Sequence, residues 1–291
     1  TTALRGRYLF PASLRTLIGG ARLDSVAWWT LDAPGWMLGR GWSLTPELAG
    51  VTERDAPRDV ALRSAQAFLR RTPALTRMMV GGRYLGPDDG PAARVVVRLG
   101  DRALADWTVS ASPRWFVKWI DVPPAALDGP GPYATMSVDV SAVDGGTAPP
   151  VGLEQFDAAG ADGTLYALID GWNEAEENPS TGLQWRWTSG KSTIEVRGPA
   201  VERTLELTGE SPLKSYDTAP TVTIRAGTRE LAKFSPTSDF AESIRIPADV
   251  LQPAGGLITI ELDRTHSPSD KGSPDKRRLG LRLFSLTLKT P

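Results

Sequence analysis

The octapeptide Arg98-Leu-Gly-Asp-Arg-Ala-Leu-Ala105 returns about 127 residues later as Arg225-Ala-Gly-Thr-Arg-Glu-Leu-Ala232. The shared pattern is R-x-G-x-R-x-L-A. Recurrence at a fixed offset constrains a fold strongly, because each copy must make the same supersecondary unit. Each copy follows a strand-like run, Val95-Val-Val97 in one case and Val222-Thr-Ile224 in the other. Gly100 and Gly227 then supply the turn. Other matches keep the same order along the chain. Gly41-Trp42 pairs with Gly171-Trp172, Gly82 with Gly209, and Val122-Pro123 with Ile246-Pro247. Leu127 pairs with Leu251, Thr135–Asp139 with Thr259–Asp263, and Val151–Leu153 with Leu279–Leu281. The expected organisation is a module over residues 33–157 and a second over 162–291, with residues 1–32 outside the repeat. Residues 156–163, Phe-Asp-Ala-Ala-Gly-Ala-Asp-Gly, read as the linker.

The repeated unit reads as strands. Ile258, Ile260 and Leu262 alternate with Thr259 and Glu261, and Met136, Val138 and Val140 with Thr135, Ser137 and Asp139. Such period-2 patterns bury one face. The last strand changes phase: Leu279, Leu281 and Leu283 share one face, and Phe284, Leu286 and Leu288 the other. A bulge or burial on both faces accounts for that. Residues 58–71 have helical composition, but their counterpart near 184–197 looks like strand, so a strand is expected there too. The fold class is all-β: two tandem β-sandwich modules of jelly-roll type, rich in glycine (29) and proline (24) at the turns.

Composition excludes several chemistries. There is no cysteine and one histidine, His266, which removes thiol nucleophiles, disulfides and cysteine-ligated metals. His266 lies in a polar stretch, expected to be a solvated loop, and no G-x-S-x-G accompanies it. The acidic turns 139–144 and 270–275 have no calcium-specific spacing. No cofactor and no metal are expected. The formal net charge of −1 offers no basic field for nucleic acid. No run approaches the roughly 18 apolar residues of a membrane span. The chain begins at Thr1, as a processed product or a piece of something longer does.

The two modules differ informatively at Trp115-Phe-Val-Lys-Trp-Ile-Asp-Val122 and its counterpart Asp239-Phe-Ala-Glu-Ser-Ile-Arg-Ile246. One face keeps its character, with Phe116, Ile120 and Val122 matched by Phe240, Ile244 and Ile246. The other carries Trp115 and Trp119 where the second module has Asp239 and Ser243. The tryptophans stand four residues apart on one face, roughly 13 Å by strand rise. Flat indoles at that spacing suit stacking on sugar rings, and equally suit a covered, module-specific interface. The second informative stretch, 171–188, reads as a polar loop between strands with Trp172, Glu174, Glu176, Glu177 and Arg186. It is either a structural loop with its tryptophans in the core or a ligand-contacting one. Paired carboxylates near tryptophan also suit a glycosidase, but a catalytic pair faces across a cleft and these share one short segment.

The pattern G-W-x-E-x-E, then R-W-T, then D-x-R-x-L-G-L-x-L resembles the β-sandwich modules attached to bacterial polytopic membrane glycosyltransferases. The matching residues are Gly171, Trp172, Glu174, Glu176, Arg186, Trp187, Thr188, Asp275, Arg277, Leu279, Gly280, Leu281 and Leu283. The first module keeps only Gly41 and Trp42, and Gly6–Pro11 is similar to a short segment near the membrane in such proteins. The resemblance implies a bacterial extracytoplasmic accessory domain, periplasmic or at the cell surface. Its partners would be a glycan or lipid-linked sugar and a membrane-embedded parent protein. It carries over no catalytic residue. The expected function is therefore non-catalytic glycan binding, with Trp115, Trp119, Trp172, Glu174 and Arg186 as ligand-binding residues. The alternatives are a structural or assembly module docking through its tryptophan face, and a carboxylate-dependent carbohydrate-active enzyme.

Overall fold

A computed structural model describes residues 18–19, 35–39, 41–42, 47–48, 64–178, 180–216 and 218–290. Trp28, Trp29 and residues 6–11 lie outside them. Among the described residues there are strands and short 3-10 turns but no α-helix. These residues divide into two compact units. Unit one runs up to Leu165 without 47–48; unit two comprises 47–48 and the residues from Tyr166 onward.

Unit one begins with β1 (Ile18–Gly19) and β2 (Trp36–Leu38), and continues after β3 (Glu47–Leu48), which belongs to unit two. It then has β4 (Ser64–Arg70), β5 (Leu75–Tyr84), β6 (Ala93–Leu99), β7 (Arg102–Val109), β8 (Trp115–Asp121), β9 (Tyr133–Ala142) and β10 (Val151–Gly160). One sheet has the order β1-β2-β4-β9-β6-β7 and the other β10-β5-β8. Period-2 burial explains β4: Ala65, Ala67 and Leu69 are fully buried while Ser64, Gln66 and Phe68 are not. The strand expected at 58–71 is thus present from Ser64, and 58–63 lie outside the described residues. Met78, Val80, Ile120, Leu153 and Phe156 of the smaller sheet share one core with Val95, Val97, Met136 and Val138 of the larger. Each such side chain contributes about 1.5–3 kcal/mol by leaving water. Most of the expected linker is strand. Residues 156–160 continue β10 against β5, and Phe156 sits in the core with Trp36 edge-on at 5.1 Å.

Unit two contains β11 (Leu165–Asn178), β12 (Leu183–Arg197), β13 (Arg203–Glu210), β14 (Val222–Ala226), β15 (Arg229–Phe234), β16 (Asp239–Ile246), β17 (Leu257–Leu262) and β18 (Arg282–Lys289). The order is β15-β14-β17-β12-β18-β13-β16, with β11 on β12 and β3 parallel to β11. The core joins Leu205, Leu207, Ile244, Ile246 and Leu286 with Ile194, Ile224, Ile258 and Ile260. Two expectations are corrected or resolved here. The stretch 171–188 is not a loop: β11 reaches Asn178 and β12 starts at Leu183, leaving a short turn. The phase change in the last strand is a bulge, since Thr208 faces Ser285 while Gly209 faces Leu283, leaving Phe284 as the extra residue.

Gly171 anchors the hairpin. Its φ is 73°, and a Cβ there would stand 1.8 Å from the Lys191 carbonyl oxygen, so only glycine fits. Trp172 follows into the core and donates its indole N–H to the Thr193 carbonyl at 2.9 Å.

Candidate functional site

The sequence-selected residues fall in two places. In unit one, β8 lies against β5 with Trp115 opposite Arg83, Val117 opposite Gly81 and Trp119 opposite Met79. Alternation points these away from the sandwich core, while Ile120 is buried in it and Phe116 packs against it. Trp115 and Trp119 are half-buried. The Arg83 guanidinium lies 5.5 Å from the centre of the Trp115 ring and pairs at 2.6 Å with Glu154 on β10. This outer face is not open: Met79 is 3%, Glu154 5% and Gln155 9% exposed. The corresponding residues of β16, namely Asp239, Ala241, Ser243 and Arg245, are all exposed.

In unit two, Trp172, Glu174 and Glu176 alternate along β11. Trp172 is in the core with its N–H already bonded, and Arg186 is 1% exposed, opposite Leu283 of β18. Neither presents a surface to a ligand. Glu174 is different: its side chain keeps 25% exposure and its Oε2 stands 3.7 Å from Arg277. Arg277 also meets Glu176 at 2.8 Å and Asp275 at 2.7 Å. Trp185 donates its indole N–H to Glu176 at 3.1 Å. Burial pushes the Glu176 carboxyl above its usual range, against the pull of Arg277 and the Trp185 and Trp187 indoles. Burial also works against charge on Asp275, but Arg277 holds it below the usual carboxylate range. Arg277 is desolvated too, yet Asp275, Glu176 and Glu174 raise it further above the arginine range.

The surrounding ring is aromatic. Arg282 lies 4.8 Å from the Trp185 ring, 5.4 Å from Phe284 and 5.9 Å from Trp187, and it pairs with Glu210. His266 meets Trp187 at 5.8 Å and Tyr216 at 5.3 Å, both edge-on. It is not the solvated residue expected: backbone bonds tie it to Leu279 in both directions, and burial, then Lys271, lower its pKa. Burial and the Asp263 charge push the Tyr216 hydroxyl up to about 12. Asn173 reaches the Trp187 and Arg278 carbonyls at 3.4 and 3.5 Å. Glu174 and Glu176 project from one strand onto one guanidinium and do not face each other across a cleft. Asp275 serves Arg277, and Asp270 caps the turn after Ser267. Among the described residues no group of three or more His, Cys, Asp or Glu is placed to hold a metal ion.

No family model matches the chain, and no curated protein matches it. Among solved structures, it is similar to the M60 catalytic domain with the CBM51-1 and CBM51-2 domains from Clostridium perfringens ZmpB, at 7% identity and a TM-score of 0.21. That match covers 77% of this chain and 34% of the other, so the chain spans about a third of that protein's length. It is similar to allantoicase at 10% identity and a TM-score of 0.26, covering 77% and 78%. It is also similar to a putative secreted protein from Parabacteroides distasonis, at 11% identity and a TM-score of 0.26, covering 99% and 97%. At such values the likenesses say nothing of ligand or activity. Trp187, Asp275 and Arg277 belong to the motif that the sequence singled out. Tyr216, Arg282 and Phe284 have no sequence signal, because strand pairing and a crossing segment alone bring them here.

Proposed function

We propose that the chain is a pair of related β-sandwich modules that binds a glycan outside the cytoplasm without acting on it, as an accessory part of a bacterial membrane glycosyltransferase. Relatedness is supported by strand order. Unit one runs β7-β6-β9-β4-β2 beside β10-β5-β8, and unit two β15-β14-β17-β12-β11 with β18-β13-β16. Local detail agrees. The β6–β7 hairpin breaks register between Val97 and Arg98, and the β14–β15 hairpin between Ile224 and Arg225. Gly41 and Gly171 both have positive φ, and each following tryptophan donates to a carbonyl, Gln66 for Trp42 and Thr193 for Trp172.

The observation that carries glycan binding is the rim of the unit-two cluster. The half-buried Trp187 and Tyr216 rings, both against His266, and the partly exposed Glu174 and Arg277 side chains belong to this cluster. A flat indole beside planar hydrogen-bonding groups is what a sugar face and its hydroxyls require. The shared arginine argues against the glycosidase alternative, which needs two independently placed carboxyls. The extracytoplasmic setting and the glycosyltransferase parent rest on the motif resemblance. Among the described residues no helix is long and apolar enough to cross a membrane. The test is a glycan array followed by affinity gels, with the glycan recovered unchanged. Trp187→Ala is expected to weaken retention by about 1–3 kcal/mol, by analogy with base stacking on aromatics. A wild-type chain that retains no glycan sinks this reading.

A second reading concerns unit one. Met79, Glu154 and Gln155 are buried on the outer side of a sheet, which favours a docking face around Trp115 and Trp119 over an open sugar platform. In that case replacing both tryptophans lowers thermal stability or assembly and leaves glycan retention intact.

A further inference from the structure

We propose that β2, with β1 along its outer edge, is a strap whose docking on unit one is controlled by Asp157: it is held in acid and loosened as that carboxyl ionises. The strap has little backbone to hold it. β2 pairs with β4 at Trp36–Leu69, Met37–Phe68 and Leu38–Ala67, and β1 adds Ile18–Met37 and Gly19–Trp36 on the far side. Two more bonds close its ends, from the Arg70 N–H to the Gly35 carbonyl and from the Gly39 N–H to the Gln66 carbonyl. Side chains supply the rest. Trp36 is buried and meets Phe156 edge-on at 5.1 Å. Trp42 meets the same ring at 5.3 Å and donates its indole N–H to the Gln66 carbonyl at 2.7 Å. Phe156 belongs to β10, an end strand of the smaller sheet, and β2 lies near the end of the larger. The two indoles therefore tie the sheets together along that side of the sandwich.

Asp157 completes this contact. It accepts the Trp36 indole N–H at 2.9 Å and the Ala158 N–H at 2.8 Å, both on Oδ1. A protonated carboxyl suits that pattern, with one oxygen accepting and the other carrying the proton. The charged groups around it are engaged elsewhere or point away. On β5, Asp157 faces Met79; Arg77, two residues along, donates to the Ala161 carbonyl at 3.2 Å and stands opposite Asp121 of β8. Arg83 pairs with Glu154. On β4, Arg70 is exposed on the face opposite buried Leu69, and Arg71 bonds the Leu127 and Asp128 carbonyls. The residues of β2 itself, Trp36, Met37 and Leu38, carry no charge. Burial raises the Asp157 carboxyl to about 6, against the two N–H bonds, and none of these charges contributes. Undocking the strap takes Trp36 off the carboxylate and lets water reach it. Opening is therefore rarest below about pH 4, grows between about pH 4 and 6, and levels off above that, a total rise of about 50-fold by pH 7.5.

The experiment is hydrogen–deuterium exchange of the whole chain, read by mass spectrometry across this pH range and corrected for the intrinsic pH dependence of exchange. The reporters are the Gly39 and Arg70 amides, which join the strap to β4, set against amides of the β6–β9 ladder in the core of the same unit. At every pH the strap amides should exchange through an opening at least about tenfold more populated than the one that frees the β6–β9 amides. That opening should rise by about 50-fold from acid to pH 7.5, most of it by about pH 6. Asp157→Asn should hold it at its acid value throughout. A wild-type strap whose corrected exchange stays flat overturns the inference without any variant. Strap and β6–β9 amides that share one opening constant overturn it too, because β2 then leaves only when the unit unfolds. An Asp157→Asn chain that keeps the pH response assigns that response to another group, and the inference falls.

Discussion

Asp157 lies on β10 and accepts the Trp36 indole N–H at 2.9 Å and the Ala158 backbone N–H at 2.8 Å. Although the residue keeps some exposure, its carboxylate is enclosed. Burial pushes its pKa up from 3.8 to about 6, against the lowering effect of those two bonds. The folded state therefore holds this proton more tightly than the unfolded chain. Its contribution to stability is fully present below about pH 4 and is lost as pH rises through about 6. Carrying the proton over that interval corresponds to a ceiling of about 3 kcal/mol. Asp157→Asn removes the charged state but keeps an acceptor for Trp36. The variant should match the wild type near pH 4 and exceed it by up to about 3 kcal/mol near pH 7.5. For a unit of this size that is a melting difference on the order of 10 °C. The assay is thermal or urea unfolding of both proteins across pH, read as the difference between them, so that other carboxylates cancel. A difference that stays flat from pH 4 to 7.5, or a variant less stable at high pH, refutes the reasoning.

In unit two, Gly171→Ala forces a Cβ against the Lys191 carbonyl at a positive φ; it should lower that unit's melting, with a loss above about 2 kcal/mol, and leave the unit-one transition unmoved in calorimetry. Arg277→Ala leaves Glu176, which is 4% exposed, without its cation; a loss of about 3–5 kcal/mol is expected in urea unfolding, and Arg277→Met with Glu176→Gln should recover much of it. Trp115→Ala with Trp119→Ala should separate the two roles of the unit-one face: stacking losses of about 1–3 kcal/mol per ring appear in a ligand or partner titration, whereas core-like truncation appears as about 3–5 kcal/mol in melting. Chelation should leave melting and glycan retention unchanged, and restoration of lost binding by added calcium or zinc would contradict that.

The strand character was readable because Ala65, Ala67 and Leu69, or Ile258 and Ile260, alternate with polar residues and are buried in that order. Register was less readable. Ladder pairing sets Val138 against Val97 and Ile260 against Ile224, so on the relatedness proposed above the hairpin offset would match Val138 with Ile260, two residues from the sequence match of Thr135–Asp139 with Thr259–Asp263. A slip of two preserves every inward and outward side chain, so hydrophobic pattern alone cannot detect it. The stretch 171–188 resists sequence reading for another reason. Glu174 and Glu176 occupy alternate positions of a true strand, but ion pairing and indole N–H groups satisfy them where apolar packing would normally be sought. Period detection weighs hydrophobicity and is blind to a buried polar face. The half-burial of His266 has no local signal, because its partners, Trp187 and Tyr216, are brought to it by tertiary crossing and not by its own neighbours.

The motif that suggested a binding loop has a structural use that constrains how its residues are read. Thr188 exchanges backbone bonds with Gly280 and Leu281, and its hydroxyl accepts the Leu281 N–H at 2.9 Å. A Cβ on Gly280 would lie 2.6 Å from that hydroxyl. Trp172 fills the core, and Arg277 reaches from the crossing segment to Glu176 on the hairpin. Most of the pattern therefore fastens residues 275–283 across β11 and β12, and a substitution there damages folding whatever the ligand. Glu174 and Asn173 share in that fastening through Arg277 and the Arg278 carbonyl, but by longer contacts and from less buried positions. Binding experiments that mutate the buried members will read as loss of function through unfolding.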